Sequence, residues 1–140
     1  MAAARPDAGS GDLPIDRDPS RIEAMFGGIA RRYDLMNRLM TVGLDGRWRR
    51  MTAAEARLAP GDEVLDACCG TGDLAFSLAE ACPACAVTGL DFTPAMLARA
   101  NQKAEARERR GLPVPRAFVQ GDLLALQFAD DSFAAVTVGW

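Results

Sequence analysis

The chain has 140 residues, 49% of them hydrophobic, and a formal net charge of −3, which suits one domain with a buried core but not two. It lacks a run of about 18 apolar residues that would span a membrane, and residues 1–20 lack the basic-then-apolar order of a secretion signal. It also has no histidine, which removes the commonest general base and a common metal ligand. We therefore expect a cytoplasmic protein with no nucleic-acid partner.

The N-terminal part divides into an acidic tail and a basic segment. Residues 1–19 are rich in Ala, Gly, Pro and Asp, which predicts a disordered tail. Residues 21–50 hold seven arginines against three acidic residues. A basic segment of this kind contacts anionic surfaces readily, although a solvated helix face explains the same charge.

Apolar residues recur at three- and four-residue steps between residues 22 and 40, with Gly27-Gly28 interrupting them. This spacing predicts two short helices with a bend. A third helix is predicted over residues 46–58. We therefore interpret residues 20–58 as a helical segment that precedes the main domain.

From residue 59 onward the sequence alternates between strand and helix patterns. The predicted strands are "EVLDAC", "AVTGLD", "RAFVQGD" and "SFAAVTVGW", and the predicted helices are "DLAFSLAEAC" and "PAMLARANQKAEARER". Pro94 stands in the first turn of the second helix, where proline is favoured. This alternation predicts an α/β fold, in which right-handed crossover helices join the strands of a parallel sheet.

Acidic residues follow three successive predicted strands. Asp66 ends the first strand and precedes the turn Gly70-Thr71-Gly72, Asp91 ends the second strand, and Asp122 ends the third. Ligands of parallel sheets bind beyond the carboxyl ends of the strands, so these residues predict a ligand site. Alternatively each aspartate only caps the helix that follows it, which explains one of them more easily than all three.

The stretch "GTGDLA" also fits the glycine pattern of dinucleotide-binding proteins. That pattern directs a helix N-terminus at a pyrophosphate, which Asp66 and Asp73 would repel. The two carboxylates suit a ligand with a positive end, such as an ammonium or a sulfonium. This favours S-adenosyl-L-methionine over NAD, and a nicotinamide-dependent oxidoreductase is the less favoured alternative.

The stretches "VLDACCGTGDLA", "VTGLDFTPAML" and "FVQGDLLALQFADDSFAAVTVGW" resemble the motifs of class I S-adenosylmethionine-dependent methyltransferases. The stretch "MFGGIARRYDLMNRLMTVGLDGRWRR" resembles the signature of the ubiquinone/menaquinone biosynthesis C-methyltransferase family. The resemblance covers residues 22–140. It implies a Rossmann-like class I methyltransferase sheet with N-terminal helices, truncated after the fourth strand. Residues 59–140 would then form an incomplete cofactor-binding domain, and a non-catalytic cofactor-binding fragment is the alternative to an enzyme.

The resemblance also implies a set of cofactor-binding residues. Thr71 and its flanking glycines contact the methionine part of S-adenosylmethionine, Asp91 binds the ribose hydroxyls, and Asp122 with Leu123 flanks the adenine. Tyr33 approaches the cofactor from the N-terminal helices. The complete predicted set is Tyr33, Asp66, Gly70, Thr71, Gly72, Asp91, Asp122 and Leu123. No catalytic base is assigned, since an acidic residue, Tyr33 or a bound water could each serve.

The reaction that the resemblance implies adds a methyl group to a ring carbon of a prenylated quinol, the step from demethylmenaquinol to menaquinol. Such a substrate resides in the membrane. Residues 21–50 are therefore predicted to form a lid and to contact the inner face of the membrane peripherally. The sequence leaves the oligomeric state open.

The four cysteines allow three interpretations. Cys82 and Cys85 form a single C-x-x-C pair, whereas Cys68 and Cys69 are adjacent in the predicted cofactor loop. A zinc site normally pairs two such elements, so we expect no metal. We expect reduced thiols, with Cys68 and Cys69 as small apolar residues near the cofactor, and a redox pair at Cys82 and Cys85 is the alternative.

Overall fold

The computed structural model describes residues 39–41 and 44–139. The predicted tail over residues 1–19 and Tyr33 lie outside the described residues. So do the predicted helices over residues 20–40, apart from Leu39 and Met40, which are helical.

Three α-helices, four strands and one 3-10 turn alternate along the described chain. In order they are α1 (Asp45–Glu55), β1 (Glu63–Ala67), α2 (Asp73–Ala81), β2 (Ala86–Asp91), α3 (Pro94–Glu108), β3 (Ala117–Gln120), the 3-10 turn Leu123–Ala125, and β4 (Ala135–Val138). Each strand and helix predicted between residues 59 and 140 is found at its place in the sequence.

The four strands form one parallel sheet in the order β3-β2-β1-β4. The chain builds outward from β1 through β2 to β3 and then returns to the other side of β1 with β4. The order therefore reverses between β1 and β4, and ligands of open parallel sheets bind beyond the carboxyl ends of the strands at such a point. This sheet confirms the predicted Rossmann-like α/β fold.

Successive strand residues point to opposite sides of the sheet, and apolar residues pack against both faces. On one face Val64 and Val87 pack against Leu74 and Leu78 of α2, and Ala53 brings α1 into the same cluster. On the other face Leu65 and Leu90 pack with Phe128 and other residues of the β3–β4 connection. The central strand β1 is thus packed on both of its faces.

The helix boundaries follow local backbone chemistry. Proline occupies the first turn of α3, as predicted, and α2 begins directly after Gly72, whose φ of 84° lies in the left-handed region that favours glycine. The helix predicted over residues 46–58 is shorter than expected, because Arg57 adopts a φ of 50° and ends the helical path. In the part of the chain that the structure describes, no helix is both long and apolar enough to cross a bilayer.

Candidate functional site

A cavity of about 120 Å³ opens where the strand order reverses, between α1 and the carboxyl ends of β1 and β4. The loop from β1 to α2 forms its floor, and one face of α1 forms its outer wall. The lining residues are Thr41, Asp45, Trp48, Arg49, Thr52, Asp66, Cys68, Cys69, Gly70, Thr71, Asp73, Leu74, Val138 and Gly139. The cavity thus lies where the sequence predicts a ligand site.

The β1–α2 loop bends sharply so that its backbone faces the cavity. Cys68 and Gly70 both have a φ of 55°, and Gly72 follows with a φ of 84°. Left-handed backbone in a non-glycine residue such as Cys68 is strained and is typical of functional sites. A side chain at Gly72 would also clash, since its Cβ would lie 2.7 Å from the ring of Phe118.

Asp66 is the most deeply buried polar side chain of the site, with no exposed surface. Its Oδ1 accepts a hydrogen bond from the hydroxyl of Thr137 at 2.8 Å. Its Oδ2 has no hydrogen-bond partner among the described residues, and the nearby Ala75 amide falls short of a regular hydrogen bond. Burial raises the pKa of Asp66 to about 6, the Thr137 hydroxyl and the Ala75 amide oppose this, and the charge of Asp91 adds to it.

The three aspartates predicted at the strand ends all act electrostatically on Cys68. Burial raises the pKa of the Cys68 thiol, and the negative charges of Asp91, Asp66 and Asp122 raise it further. Those three carboxylates therefore surround Cys68 closely enough for their fields to act on it.

Two of the three aspartates also bind backbone amides, as the capping alternative expects. Asp91 accepts from the amide of Gly70 at 2.7 Å and from that of Thr93 at 2.8 Å. Asp122 accepts from the amide of Leu124 at 2.8 Å and caps the 3-10 turn. Asp91 thus ties the end of β2 to the glycine loop. Asp66 differs, since the donor to its Oδ1 is the side chain of Thr137.

The cavity brings together part of the predicted set. Asp66, Gly70 and Thr71 line it, whereas Gly72 lies buried beneath Phe118. The remaining predicted residues among those described do not line it. Asp91 is buried against the β1–α2 loop, and Asp122 and Leu123 are exposed at the end of β3.

The sequence predicted a lid from residues 21–50, but not which residues of α1 form the cavity wall. Trp48, Arg49 and Thr52 lie three, four and seven residues after Asp45, so the four residues share one face of a helix. That spacing is visible in the sequence, but it does not show which surface the face covers.

Asp73 departs from its predicted role at the cavity. It accepts a hydrogen bond from Arg49 of α1 at 3.0 Å and forms a close ion pair with Lys103 of α3. Its charge is therefore offset by two cations, and Asp66 is the carboxylate that disfavours a pyrophosphate.

Two of the four cysteines differ from the expectation of reduced thiols, whereas Cys68 and Cys69 are free, as expected. Cys82 and Cys85 form a disulfide, with Cα atoms 5.3 Å apart, because the turn after α2 brings them within the usual range for such a bond. Cys68 is exposed and lines the cavity, while Cys69 is half-buried. Within residues 39–41 and 44–139, no group of three potential metal ligands clusters.

The ubiE/COQ5 methyltransferase family matches the sequence over residues 15–140. The chain belongs to this family. A demethylmenaquinone methyltransferase of Thermus thermophilus is 49% identical over 116 residues, which cover 83% of this chain and 50% of the relative. The enzyme of the same name from Deinococcus radiodurans is 45% identical, covering 83% of this chain and 46% of the relative.

A further relative of this ubiE/COQ5 chain, the ubiquinone/menaquinone biosynthesis C-methyltransferase UbiE of Citrifermentans bemidjiense, is 40% identical over 122 residues. The match covers 86% of this chain and 50% of the relative. The chain thus spans about half the length of the curated relatives it matches.

Solved structures agree with the fold. The YcgJ protein of Bacillus subtilis is 29% identical with a TM-score of 0.53, and the match covers 63% of this chain and 35% of that one. A TehB-like SAM-dependent methyltransferase from Corynebacterium glutamicum superposes with a TM-score of 0.58 at 22% identity, covering 81% of this chain and 55% of that one. These likenesses confirm the class I methyltransferase fold.

Proposed function

We propose that this protein is an S-adenosylmethionine-dependent C-methyltransferase that methylates the ring of a prenylated quinol, converting demethylmenaquinol to menaquinol. Its family and the names of its relatives support the reaction class. The observation that carries the proposal is the unpartnered, fully buried Oδ2 of Asp66 in a cavity at the switch point of the sheet.

The residues present suit S-adenosylmethionine. A buried carboxylate oxygen without a partner is costly, and a cationic group of the ligand relieves that cost. Gly70 lines the cavity, and no heavy atom lies within 4 Å of its Cβ position, so the space beside its backbone is open to a ligand. Asp91 accepts two amide hydrogen bonds and, as a carboxylate, keeps further lone pairs for ribose hydroxyls.

When bound, S-adenosylmethionine supplies an electrophilic methyl group on a positively charged sulfur. The chain itself has to hold the donor in one orientation, since alignment of the reacting atoms provides much of the rate enhancement in such transfers. In our proposal Asp66 and the glycine loop hold the amino-acid end and Asp91 holds the ribose. Trp48 and Thr52 of α1 close the outer wall and keep water out.

The outer surface of α1 suits an apolar acceptor at a membrane. Leu44, Trp48 and Met51 lie at steps of four and three residues and are each exposed, Met51 by 55%. Trp48 also lines the cavity, so this row borders the cavity wall. The exposed arginines Arg47 and Arg50 flank this row. An apolar row beside cations is the pattern of helices that lie on anionic bilayers. We propose that α1 contacts the cytoplasmic face of the membrane and receives the quinol there.

Calorimetric titration of S-adenosylmethionine into the 140-residue chain tests whether the chain binds this cofactor. We expect binding that weakens about tenfold or more in Asp66→Asn, since this change removes a charge-assisted contact. Asp91→Ala should abolish it. Asp130→Asn, which neutralises an exposed carboxylate of the β3–β4 connection, should bind as the parent does.

NADH titrated under the same conditions provides the competing ligand. Binding of NADH in preference to S-adenosylmethionine would refute the methyltransferase proposal. So would a chain that is folded by circular dichroism and binds neither S-adenosylmethionine nor S-adenosylhomocysteine.

A further inference from the structure

The two carboxylate oxygens of Asp66 have different surroundings. Oδ1 accepts a hydrogen bond from Thr137 Oγ1 at 2.8 Å, and Oδ2 has no hydrogen-bond partner in the described part of the chain. The side chain is fully buried and lines the cavity. A single donor thus fixes one oxygen and leaves the other available to a ligand.

The pairing of β1 with β4 places Thr137 at this carboxylate. The two strands are parallel, and Asp66 lies in register with Thr137. Paired residues of neighbouring strands project to the same face at about 4.8 Å, so a hydroxyl on β4 reaches the aspartate directly. Its neighbours Val136 and Val138 carry no hydroxyl, so neither can take the place of Thr137 as a donor.

Among the described residues, the groups around Asp66 offer it no cation. Asp91 faces it from β2, and the thiols of Cys68 and Cys69 lie in the loop. Asp73 at the start of α2 and Asp45 on α1 line the same cavity. Of the described cations nearby, Arg49 on that wall is already paired with both of them, and Lys103 of α3 pairs with Asp73.

The protonation of Asp66 depends on the balance between burial and hydrogen bonding. Burial raises its pKa to about 6, and the hydrogen bond from Thr137 is the largest opposing influence. Loss of the Thr137 hydroxyl therefore raises the pKa further. More of the carboxyl is then protonated near neutral pH, and a neutral carboxyl does not attract a cation.

We propose that Thr137 is a positioning residue for cofactor binding, whose hydroxyl holds Oδ1 of Asp66 so that an ionised Oδ2 faces a cationic group of S-adenosylmethionine. This inference rests on the proposed function, because it presumes that ligand. The ligand offers two positive groups, the ammonium of its amino-acid end and the sulfonium. The inference requires a positive group and holds for either one.

Thr137→Val, which keeps the shape of the side chain and removes the donor, tests the inference by calorimetry between pH 6 and 8.5. Loss of a hydrogen bond to a charged group should weaken binding about twofold to tenfold near pH 7, because the raised pKa leaves less of Asp66 ionised there. The loss should shrink toward pH 8.5, where Asp66 ionises without help. Thr137→Ser retains the hydroxyl and should recover most of the affinity. A loss of equal size at every pH, or an equal loss in Thr137→Ser, would show a merely structural role and overturn the inference.

Carbon-13 NMR of the Asp66 carboxyl in the ligand-free chain gives a second readout that needs no ligand. Asp66→Asn identifies its signal by the resonance that disappears. The pKa should rise in Thr137→Val and stay near the parent value in Thr137→Ser. An unchanged pKa in Thr137→Val overturns the inference, whether or not the chain binds S-adenosylmethionine.

S-adenosylhomocysteine, which keeps the ammonium and lacks the sulfonium, distinguishes the two positive groups. An equal loss of affinity for both ligands in Thr137→Val supports the ammonium as the group at Asp66. A loss confined to S-adenosylmethionine supports the sulfonium. A parent chain that binds neither ligand refutes the proposed function, while the carbon-13 titration still decides the relation between Thr137 and Asp66.

Discussion

At the scale of single residues, Asp66 is held in a state that opposes folding at neutral pH. Its pKa is about 6 in the folded protein and near 3.9 in an unfolded chain. The folded state therefore binds a proton at Asp66 more tightly than the unfolded state does. The contribution of protonated Asp66 to the free energy of unfolding is fully present below about pH 4. It is lost as the pH rises to about 6. Above that range the buried charge lowers the free energy of unfolding by roughly 3 kcal/mol.

Asp66→Asn should remove this penalty, because the amide resembles the protonated carboxyl in shape and charge. We expect the variant to gain about 2–3 kcal/mol of unfolding free energy at pH 7.5 and almost nothing at pH 4. Urea unfolding at a series of pH values measures the difference between variant and parent. Asp130→Asn is the control for removing an exposed carboxylate. A gain that does not change with pH would contradict the assignment of the buried charge.

Gly72 and Gly70 form a matched pair for a second residue-scale prediction. Both have positive φ, but a Cβ at Gly72 would meet Phe118 at 2.7 Å, whereas one at Gly70 would meet no heavy atom within 4 Å. Gly70→Ala should cost about 1 kcal/mol of unfolding free energy from backbone strain alone. Gly72→Ala should cost about 1–3 kcal/mol more through overpacking.

Urea unfolding of the two alanine variants checks this difference. Phe118→Leu introduced together with Gly72→Ala should recover part of the additional loss, because the two positions are in contact. Equal losses at the two glycines would mean that Phe118 does not restrict Gly72.

At the scale of secondary-structure elements, α1 buries little apolar surface against the domain. Ala53 is its one buried residue among those described, so ion pairs carry much of its docking. Asp73 of α2 pairs with Arg49 of α1 and with Lys103 of α3, and all three side chains are between 20% and 29% exposed. The outer wall of the cavity therefore depends on this three-helix contact.

Asp73→Asn should loosen α1 more than it destabilises the domain. We expect a loss of about 1 kcal/mol of unfolding free energy at low salt, shrinking as salt is added. Hydrogen exchange should accelerate over residues 45–55 and remain near the parent rate in β1. Glu105→Gln is the control, since its partner Arg109 lies 4.0 Å away and both side chains are about 70% exposed. Unchanged exchange in α1 would show that Asp73 does not hold it.

Element order was predictable from the sequence, whereas contacts between distant elements were not. Alternating strand and helix patterns predict β1 to β4 because each strand is bounded by turn residues and each helix has its own apolar face. The pairing of Asp73 with Lys103 links positions 30 residues apart, and that of Asp66 with Thr137 links positions 71 apart. Such pairs depend on how distant elements pack and on strand order and register, which no local pattern specifies.

The position of the three aspartates at one edge of the sheet was predictable, because the carboxyl ends of parallel strands lie at the same edge.

At the scale of the whole molecule, charge is distributed unevenly. The chain carries a net charge of −3, yet residues 21–50 contain seven arginines and three acidic residues. In the described part of this segment, Arg47 and Arg50 are exposed on the same helix as the apolar row Leu44, Trp48 and Met51. An acidic protein with one basic, apolar face should orient that face toward an anionic bilayer, since the remaining surface is repelled.

The paired substitution Arg47→Glu and Arg50→Glu should weaken binding to vesicles of anionic phospholipid by roughly tenfold or more, because each basic residue near such a surface contributes about 1 kcal/mol. Arg109→Glu with Arg110→Glu makes the same charge change at the exposed end of α3 and should have little effect. Cosedimentation at rising salt measures both pairs. Binding of the parent should fall with salt and be weak on neutral vesicles. Equal losses in the two paired variants would show that net charge, and not the face formed by α1, governs membrane contact.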